Sequence, residues 1–450
     1  MKVDVSRVVV PYRSIARLLD QLDSVDPRGH GYGGHEGFGH ADPDDPTRGD
    51  EPDDVPVEIS EPQREKMVGA LKIAAGILAR EDRTPGILYA PDNEAACLLL
   101  GFMTRKAIRS DSLRELPQGG LEAQFDDNER SAWIGSFLGG WFERLTNKRP
   151  FVGNPNTTAV PLGKNDVRMA ILGDWGTNLY GAPRCAQSIL DTRPLYDVVL
   201  HLGDVYYAGD VEEVKERFLD PWPKVPGARS LALNSNHEMY SGGAGYFDLT
   251  LPAFGQRSSY FAYQTDHFVL VGLDTGYDEY GLAGNQDGWL ESIVNNAGDR
   301  KVVLFSHHQP FSLYESKIMR PQSRLGALLS SQRIFAWYWG HEHRCVVYDK
   351  HPRWDVLGRC IGHSGYPYFR QDLARYPLTR VNSDGSAWHQ LGLTNGTPGG
   401  YILDGQNYDV AQSPTRYGPH GYASIELSGP HLVERIHAAD GTILHERELA

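Results

Sequence analysis

The feature that most constrains the fold is a series of short apolar runs that begins at Val167 and continues to about residue 362. Segments of helical length separate many of these runs, a pattern typical of α/β proteins built in layers. In chain order the runs read VRMAIL, YDVVLHL, RSLALN, HFVLVGL, KVVLFS, FAWYW and VLGRCIG. The last 28 residues before the final Leu-Ala, GYASIELSGPHLVERIHAADGTILHERE, alternate apolar and polar side chains and predict a two- or three-stranded antiparallel meander that closes the sheet. We therefore predict an α/β domain over residues 161–450.

The first 160 residues differ in texture from this domain. Residues 1–25 are predicted to form an N-terminal helical arm, and residues 26–58 a mobile loop rich in Gly, His and Asp, which cannot bury enough apolar surface to fold by itself. Helical patterns dominate residues 59–160, where Ser60 and Gln63 offer a capping box, and we predict a helical cap or packing region. The loop histidines are interpreted as solvated residues rather than metal ligands: His30, His35 and His40.

Composition narrows the classes of partner. The net charge of −14 argues against long nucleic acids, because phosphates would be repelled without a localised basic patch. The sequence has neither a stretch of roughly 20 apolar residues for a membrane span nor a signal-peptide core at its start. The four cysteines are far apart, and we favour buried thiols in a reducing compartment over two disulfides. A soluble, cytoplasmic protein is expected, with homo-oligomerisation through tryptophan-containing helices left open.

Five of the strand-like runs lead directly to polar residues of the kinds that bind metals. Each ending alone is more often a turn or a satisfied polar pair, but functional groups gather at the carboxyl ends of strands in α/β sheets. Five such endings in succession predict one shared metal centre. The residues concerned are Asp174, Asp204 with Tyr207, Asn236 with His237, His307 with His308, and His341 with His343.

The chemistry of these ligands narrows the metal and the reaction. Carboxylate, amide and imidazole groups suit Zn, Mn or Fe rather than Cu(I). The number of groups exceeds one tetrahedral site. Two ions roughly 4 Å apart, bridged by a carboxylate, would use all of them and would suit in-line attack on phosphorus.

Residues from about Arg168 to Tyr368 resemble the calcineurin-like metallophosphoesterases. The resemblance is carried by five blocks in the family order: GDWG, GDVYY, SNHE, SHHQP and GHEH. It implies a four-layer α/β/β/α sandwich, to which this chain adds an N-terminal helical extension. The segment NQDGWL is similar to the family's helix entry before the histidine strand.

Within the superfamily the chain resembles the purple acid phosphatases. Most members have Asp-x-His in the first block, whereas this chain has Asp174-Trp175-Gly176 and the pattern Gly-Asp-x-x-Tyr, which ends at Tyr207. The resemblance implies a tyrosine phenolate bound to Fe(III), which gives that group its colour, and a second ion that is Fe(II), Zn or Mn. The implied iron ligands are Asp174, Tyr207 and His343, with Asp204 bridging, and the implied ligands of the second ion are Asn236, His307 and His341.

The predicted reaction is hydrolysis of a phosphoester by a metal-bound hydroxide. His237 and Asp204 would act as catalytic residues, and His308 and His363 would contact the substrate, with a packed histidine in a Gly/Pro loop as the alternative for His363. Three points stay open: whether His307 or His308 is the ligand, with His307 favoured; whether the adjacent Tyr206 displaces Tyr207; and whether Glu238 orients His237 or forms a surface salt bridge. Glu342 is predicted to be structural.

The substrate class also stays open. We predict a phosphomonoesterase acting on small substrates. The alternatives are a phosphodiesterase or nucleotide hydrolase of the same fold, and a non-catalytic metal-binding scaffold protein.

Overall fold

A computed structural model of the protein describes residues 8–9, 61–80, 90–109, 113–115, 121–123, 141, 148–319, 323–370, 373–410 and 414–450. The predicted helix of the arm, at residues 14–22, and the predicted loop at 26–58 lie outside these residues. Contacts within the chain define two compact units. The first comprises Met1–Arg83 and Pro91–Thr146, and the second Thr84–Ala90 and Asn147–Ala450.

The first unit contains two helices, and both lie in the region predicted to be helical, residues 59–160. Helix α1 has the expected apolar stripe, on which Met67, Leu71 and Leu78 are buried. A third predicted helix, near residues 128–145, lies outside the described residues except for Trp141. A small sheet has the order β1-β3-β2. The elements are β1 (Val8–Val9), α1 (Glu61–Arg80), α2 (Glu94–Arg109), β2 (Leu113–Glu115) and β3 (Leu121–Ala123).

The second unit is built on two sheets. The smaller sheet has six strands: β5 (Val167–Leu172), β6 (Val198–His201), β7 (Arg229–Ala232), β17 (Gly421–Ser428), β18 (His431–Ala438) and β19 (Ile443–Glu448). Their order is β19-β18-β17-β5-β6-β7. The first three in sequence are parallel, and the C-terminal meander joins β5 in antiparallel fashion. The predicted meander therefore has three strands and extends this sheet.

The larger sheet has ten strands: β4 (Val160–Pro161), β8 (Phe261–Gln264), β9 (Phe268–Gly272), β10 (Lys301–Ser306), β11 (Ile334–Trp339), β12 (Cys345–Lys350), β13 (Leu357–Ile361), β14 (Leu378–Val381), β15 (Ala387–Leu391) and β16 (Gly400–Asp404). Their order is β14-β15-β16-β12-β13-β11-β10-β9-β8-β4. Strands β9, β10, β11 and β13 are parallel, so their carboxyl ends lie at the same edge.

Helices cover the outer faces of both sheets. They are α3 (Ala182–Asp191), α4 (Val211–Val214), α5 (Asn236–Tyr240), α6 (Leu251–Phe254), α7 (Gln286–Asn296) and α8 (Ser323–Ser330). Short π-helical turns occupy Lys215–Leu219 and Gly245–Thr250, and a 3-10 turn Leu373–Arg375. The segment NQDGWL does begin a helix, α7.

Three apolar clusters define the layers. The central cluster joins side chains of the two sheets, for example Leu200 with Phe305. A second cluster packs Ile189 of α3 on the six-stranded sheet, and a third packs Leu290 of α7 on the ten-stranded sheet. The second unit is therefore the predicted four-layer α/β/β/α sandwich, because each sheet buries one face against the other sheet and one against helices.

A buried ion pair also links the two sheets. The Nε of Arg359, on β13, donates to both carboxylate oxygens of Glu434, on β18, at 2.8 and 2.7 Å. The Tyr338 hydroxyl donates to the same carboxylate at 2.7 Å. Both charged side chains are fully buried, so neither charge has water as an alternative partner.

All four cysteines are buried, and none forms a disulfide, in agreement with their interpretation as buried thiols. In the part of the chain that the structure describes, no helix combines the length and apolar character needed to cross a membrane.

Candidate metal centre

Two carboxylates follow neighbouring parallel strands. Asp174 lies two residues after β5 and Asp204 three residues after β6, and both are fully buried. A backbone hydrogen bond links the two strand ends, since the Asp174 N–H donates to the carbonyl of Gly203, the residue before Asp204, at 3.1 Å. Gly203 has a φ of +110°, and a Cβ there would lie 2.8 Å from His307 Nδ1, so this turn leaves no space for a side chain. The strand ends thus bring the two carboxylates together, as predicted.

A tyrosine hydroxyl joins the two carboxylates, and it belongs to Tyr206 rather than to the predicted Tyr207. The Tyr206 hydroxyl lies 2.8 Å from Asp204 Oδ2 and 3.2 Å from Asp174 Oδ1. The ring of Tyr207 instead lies beside the Arg217 guanidinium, 4.7 Å from the ring centroid. The prediction rested on the spacing Gly-Asp-x-x-Tyr, but the chain turns at residues 206–208, and this turn directs the Tyr206 side chain to the carboxylates.

The turn after β7 presents an amide and an imidazole. Ser235 caps helix α5 by accepting the His237 N–H, which places Asn236 and His237 in the first turn. The Asn236 Nδ2 donates to the Tyr240 hydroxyl at 2.8 Å, so its Oδ1 points the other way, to within 3.0 Å of His307 Nε2. Ser235 therefore supplies the N-terminal cap of this helix.

Two adjacent histidines follow β10 and have different partners. His307 Nδ1 lies 3.0 Å from the Leu202 carbonyl, while its Nε2 lies 3.2 Å from Asp204 Oδ1. His308 Nδ1 lies 3.0 Å from Thr275 Oγ1, and its buried Nε2 has no hydrogen-bond partner among the described residues. Of the two candidates for the ligand, His307 is the one that contacts Asp204, the carboxylate predicted to bridge.

The HEH segment after β11 brings two more imidazoles to the cluster. His341 Nδ1 lies 3.1 Å from His307 Nε2, and His343 Nε2 lies 2.8 Å from the Tyr206 hydroxyl. The segment is not an extended strand, because both histidines have positive φ angles, 69° and 50°. Glu342 points away, and its buried carboxylate accepts hydrogen bonds from Trp339 Nε1 and from the Ser312 hydroxyl. Its predicted structural role fits these contacts.

The two carboxylates differ in their ionisation. Burial, reinforced by the nearby Asp204, raises the pKa of Asp174 well above its usual range. Burial also opposes ionisation of Asp204, but His237 and His307 outweigh it and hold the pKa of Asp204 well below its usual range. Burial, followed by the proximity of Asp204, raises the pKa of Tyr206 well above 10. Without a cation the phenol therefore stays protonated and donates to the carboxylates.

Burial also lowers the pKa of each histidine in the cluster. The pKa values of His307 and His343 are lowered, and those of His308 and His341 are well below 6.5. These imidazoles are therefore neutral at pH 7, which is the form that binds metal ions.

The donors around His307 are arranged as a cation site requires. Because the His307 Nδ1–H is directed at a carbonyl, its Nε2 carries a lone pair. Two oxygens that can only accept lie around that nitrogen, Asn236 Oδ1 at 3.0 Å and Asp204 Oδ1 at 3.2 Å. His341 Nδ1 lies 3.1 Å away and is also an acceptor when the proton of that imidazole is on Nε2. The buried Asp204 Oδ1 has no hydrogen-bond partner among the described residues. Acceptor atoms that converge in a buried site favour a cation between them, so these residues fit a metal ion.

Potential ligand atoms form two overlapping groups, each within 4.8 Å. One contains Asp174, Asp204 and His307, and the other His307, His308 and His341. The two groups share His307, and together they include residues from four of the five predicted strand ends.

His237 and Glu238 lie at the edge of the cluster. His237 Nδ1 lies 2.6 Å from the Tyr207 carbonyl, which leaves Nε2 directed towards Asp204, at 3.8 Å from Oδ2. Glu238 is buried and accepts a hydrogen bond from the Ser235 hydroxyl. Burial and the nearby Asp204 raise the pKa of Glu238 to about 8. The surface salt bridge that was the alternative for Glu238 is therefore not formed.

The structure does not bring His363 to the cluster. Its side chain is fully buried and points at the start of β17, where a Cβ on Gly421 would lie 2.9 Å from Nε2. Neither ring nitrogen has a hydrogen-bond partner among the described residues, and burial lowers the pKa of His363 to about 3. The neighbouring Ser364 accepts the Gly173 N–H, so this loop supports the turn after β5 rather than forming an open wall.

Sequence reasoning missed several residues around the site. Tyr240, Tyr280 and Thr275 contact ligand-type residues through their hydroxyl groups, and Tyr366 stacks on the ring of His343 with centroids 4.1 Å apart. Tyr240 lies one helical turn after Asn236, a spacing that could have indicated the contact. The other three come from distant loops and have no local signal.

Residues 167–345 match the family described as calcineurin-like phosphoesterase. A curated relative, the probable glycerophosphodiester phosphodiesterase GpdQ of Arcobacter nitrofigilis, is 27% identical over 177 residues. The alignment covers 36% of this chain and 61% of the relative, so the chain spans less than two thirds of that protein.

Two solved structures are similar to this chain over 63% of its length. Purple acid phosphatase PPD1 from yellow lupin (Lupinus luteus) seeds has a TM-score of 0.46 and 14% identity, with 53% of that chain covered. GAP50, the anchor in the inner membrane complex of Plasmodium, has a TM-score of 0.42 and 14% identity, with 89% covered. The family match covers the five blocks up to the HEH segment and confirms the resemblance stated from them. Residues 167–345 are therefore similar to the calcineurin-like phosphoesterases.

Proposed function

We propose that this protein is a dinuclear metal-dependent phosphoester hydrolase. The observation that carries the proposal is the convergence of buried amide, carboxylate and imidazole groups around His307 Nε2, beside a second carboxylate and a phenol. One ion would be held by Asp174, Tyr206 and His343, the other by Asn236, His307 and His341, with Asp204 shared between them.

The resemblance to purple acid phosphatases favours Fe(III) beside the tyrosine and Fe(II), Zn or Mn at the second position. A high pKa for Tyr206 means that a phenolate forms there only when a cation replaces its proton. Bound metal ions would supply Lewis acidity to phosphoryl oxygens and lower the pKa of water, which suits in-line displacement at phosphorus.

His237 is proposed to act on the phosphoryl group or the leaving oxygen. The Tyr207 carbonyl lies 2.6 Å from His237 Nδ1 and accepts the hydrogen bond from it, which fixes the ring. Nε2 then faces the cluster and is the nitrogen that can gain or lose a proton there. From that position His237 would hydrogen-bond a phosphoryl oxygen or protonate the leaving oxygen. At 3.8 Å from Asp204, Nε2 is placed beside the bridging carboxylate without belonging to the ligand set.

The predicted substrate contacts of His308 and His363 differ in their support. His308 has a buried, unpartnered Nε2 beside His307 and His341, so a substrate-facing role for it stays in the proposal. His363 faces the start of β17, and its predicted role has no support from its surroundings.

The substrate is proposed to be a small phosphorylated molecule. The protein has a net charge of −14, which makes it a poor partner for long nucleic acids. Sequence reasoning favours a phosphomonoester, whereas the name of the relative from Arcobacter nitrofigilis favours a phosphodiester, which is therefore the second candidate. Cytoplasmic location and homo-oligomerisation stay predictions from the sequence.

The test is hydrolysis of p-nitrophenyl phosphate and bis(p-nitrophenyl) phosphate by the purified full chain, before and after removal of metal by a chelator and reconstitution. Hydrolysis that is lost with the metal and restored by it supports the proposal, and the preferred compound distinguishes the monoester from the diester.

We expect His237→Ala to lower kcat by about 10²-fold or more while metal content stays unchanged. His431→Ala is the matched control, because this histidine lies on the surface, where it pairs with Glu448. A fully reconstituted protein that hydrolyses neither compound would contradict the proposal.

A further inference from the structure

The loop between β9 and α7 lies against the histidine half of the cluster, and one of its side chains contacts His341. The Tyr280 hydroxyl lies 2.7 Å from His341 Nε2. We propose that Tyr280 is a positioning residue that fixes the tautomer and ring orientation of His341 for metal binding. This inference rests on the proposed metal-dependent function and extends it to a residue outside the ligand set.

The two nitrogens of His341 face different partners. Nδ1 points at the cluster, 3.1 Å from His307 Nε2, whereas Nε2 points at Tyr280. A neutral imidazole carries one proton, so Nδ1 can offer a lone pair to a cation only when the proton is on Nε2. When a cation takes the Nδ1 lone pair, the proton is on Nε2 and the Tyr280 hydroxyl oxygen, 2.7 Å away, accepts it, so the contact stabilises the tautomer that metal binding requires.

His307 shows the same arrangement with a different acceptor. Its Nδ1 is 3.0 Å from the Leu202 carbonyl, which leaves Nε2 for the cluster. A backbone carbonyl can only accept, so the tautomer of His307 is set by the fold itself. His341 instead depends on a side chain that a single substitution removes, which makes the inference testable.

The loop is built to hold Tyr280 in place. Its N–H donates to the Thr275 carbonyl at 3.1 Å, and its φ of +61° is uncommon for a large side chain. The Tyr280 ring packs against His308, with centroids 4.1 Å apart, and Lys317 Nζ lies 4.2 Å from its centroid. The ring is buried. A strained backbone with a packed ring is expected where the surrounding structure fixes a side chain for function.

The start of the loop is anchored separately. The Asp274 carboxylate accepts the N–H groups of Gly276 and Tyr277 at 3.1 and 2.9 Å. The Tyr277 hydroxyl donates to the Arg149 carbonyl at 2.9 Å. Tyr277 thus uses its hydroxyl, in the same loop, for a part-buried contact with a backbone carbonyl rather than with a histidine of the cluster, and it provides a matched control.

The experiment compares Tyr280→Phe with Tyr277→Phe in the full chain. The metal-free proteins are titrated with Zn²⁺ by calorimetry, and the tautomer of His341 is read from ¹⁵N–¹H correlation spectra of histidine-labelled protein. Tyr280→Phe keeps the packed ring and can adopt the same backbone conformation, so the fold should be retained. Thermal unfolding in the presence of a chelator checks this.

We expect one of the two Zn²⁺ binding steps to weaken by about 10- to 100-fold in Kd, because the loss of an outer hydrogen-bond partner has effects of that size. The Nε2–H signal of His341 should change as well. Tyr277→Phe should leave both within about twofold of the unsubstituted protein, far below the effect of an outer-partner loss.

The outcomes separate this inference from the proposed function. If Tyr280→Phe binds Zn²⁺ with unchanged Kd and an unchanged His341 tautomer while the unsubstituted protein binds two equivalents, the inference is overturned and the function stands. An equal loss of affinity in both variants would also overturn it, because loop stability would then explain the effect. If the unsubstituted protein binds no Zn²⁺, the proposed function itself fails.

Discussion

The replacement of Tyr206 by Phe tests the assignment on which sequence and structure differ most. In the structure the Tyr206 hydroxyl reaches Asp204 Oδ2 and His343 Nε2 at 2.8 Å each. The adjacent Tyr207, which the sequence pattern favours, lies beside Arg217. If the phenolate binds iron, Tyr206→Phe removes an anionic ligand, whereas Tyr207→Phe removes a hydroxyl outside the ligand set.

The magnitude follows from these contacts. Loss of an outer partner of a ligand costs about 10- to 100-fold in metal affinity, so loss of a direct ligand should cost at least about 100-fold, or about 2.8 kcal/mol. In the metal-free protein the Tyr206 hydroxyl has one proton to donate among its carboxylate and imidazole neighbours. Since one hydrogen bond to a charged group contributes about 1.5–3 kcal/mol, the metal-free variant should be destabilised by that amount.

The assay is metal content by mass spectrometry together with the visible absorption spectrum of each variant. We expect bound iron with a visible charge-transfer band in the unsubstituted protein, loss of the band in Tyr206→Phe and retention in Tyr207→Phe. The reverse result would refute the placement of Tyr206. A colourless protein with two bound metals would remove the phenolate while keeping the dinuclear site.

Two further predictions concern stability. Glu434→Gln leaves the buried Arg359 guanidinium without a counter-charge and should lower the free energy of unfolding, measured by urea denaturation, by about 3–5 kcal/mol. A loss below about 1 kcal/mol would contradict a buried ion pair. Burial lowers the pKa of His437 from 6.5 to about 4. Because the unfolded chain then binds a proton that the folded chain does not, this contribution is present above pH 6.5 and is lost as pH falls towards 4, by about 1.4 kcal/mol per pH unit. His437→Gln should show a correspondingly shallower loss between pH 6.5 and 4, and an unchanged slope would count against the assignment.

The candidate site was predictable from sequence to the extent that strand ends are local signals. A buried apolar run that ends in Asp, Asn or His can be identified from a few residues, and parallel strands deliver those endings to one edge. The positions of Asp174, Asp204, Asn236 and His307 followed from this logic. Their partners across the sheets did not, because residues such as Tyr280 act through contacts between distant loops.

The directions of the side chains after β6 and β11 could not be read from the sequence. Only in a continuing strand do alternate residues share a face. In the structure these segments turn, with Asp204, His341 and His343 at positive φ. Side-chain direction there is set by the turn, and the sequence carries no regular period from which to read it.

The layered α/β architecture, the chemical character of the candidate ligands and their order along the chain can be read from the amino-acid sequence. Those properties depend on apolar periodicity and residue type, which are local. The tertiary structure is needed to see which of two adjacent tyrosines meets the carboxylates, which histidine nitrogen faces the cluster and which hydroxyls contact the candidate ligands. These depend on backbone turns and on contacts between residues far apart in the chain, and no short stretch of sequence encodes such distances.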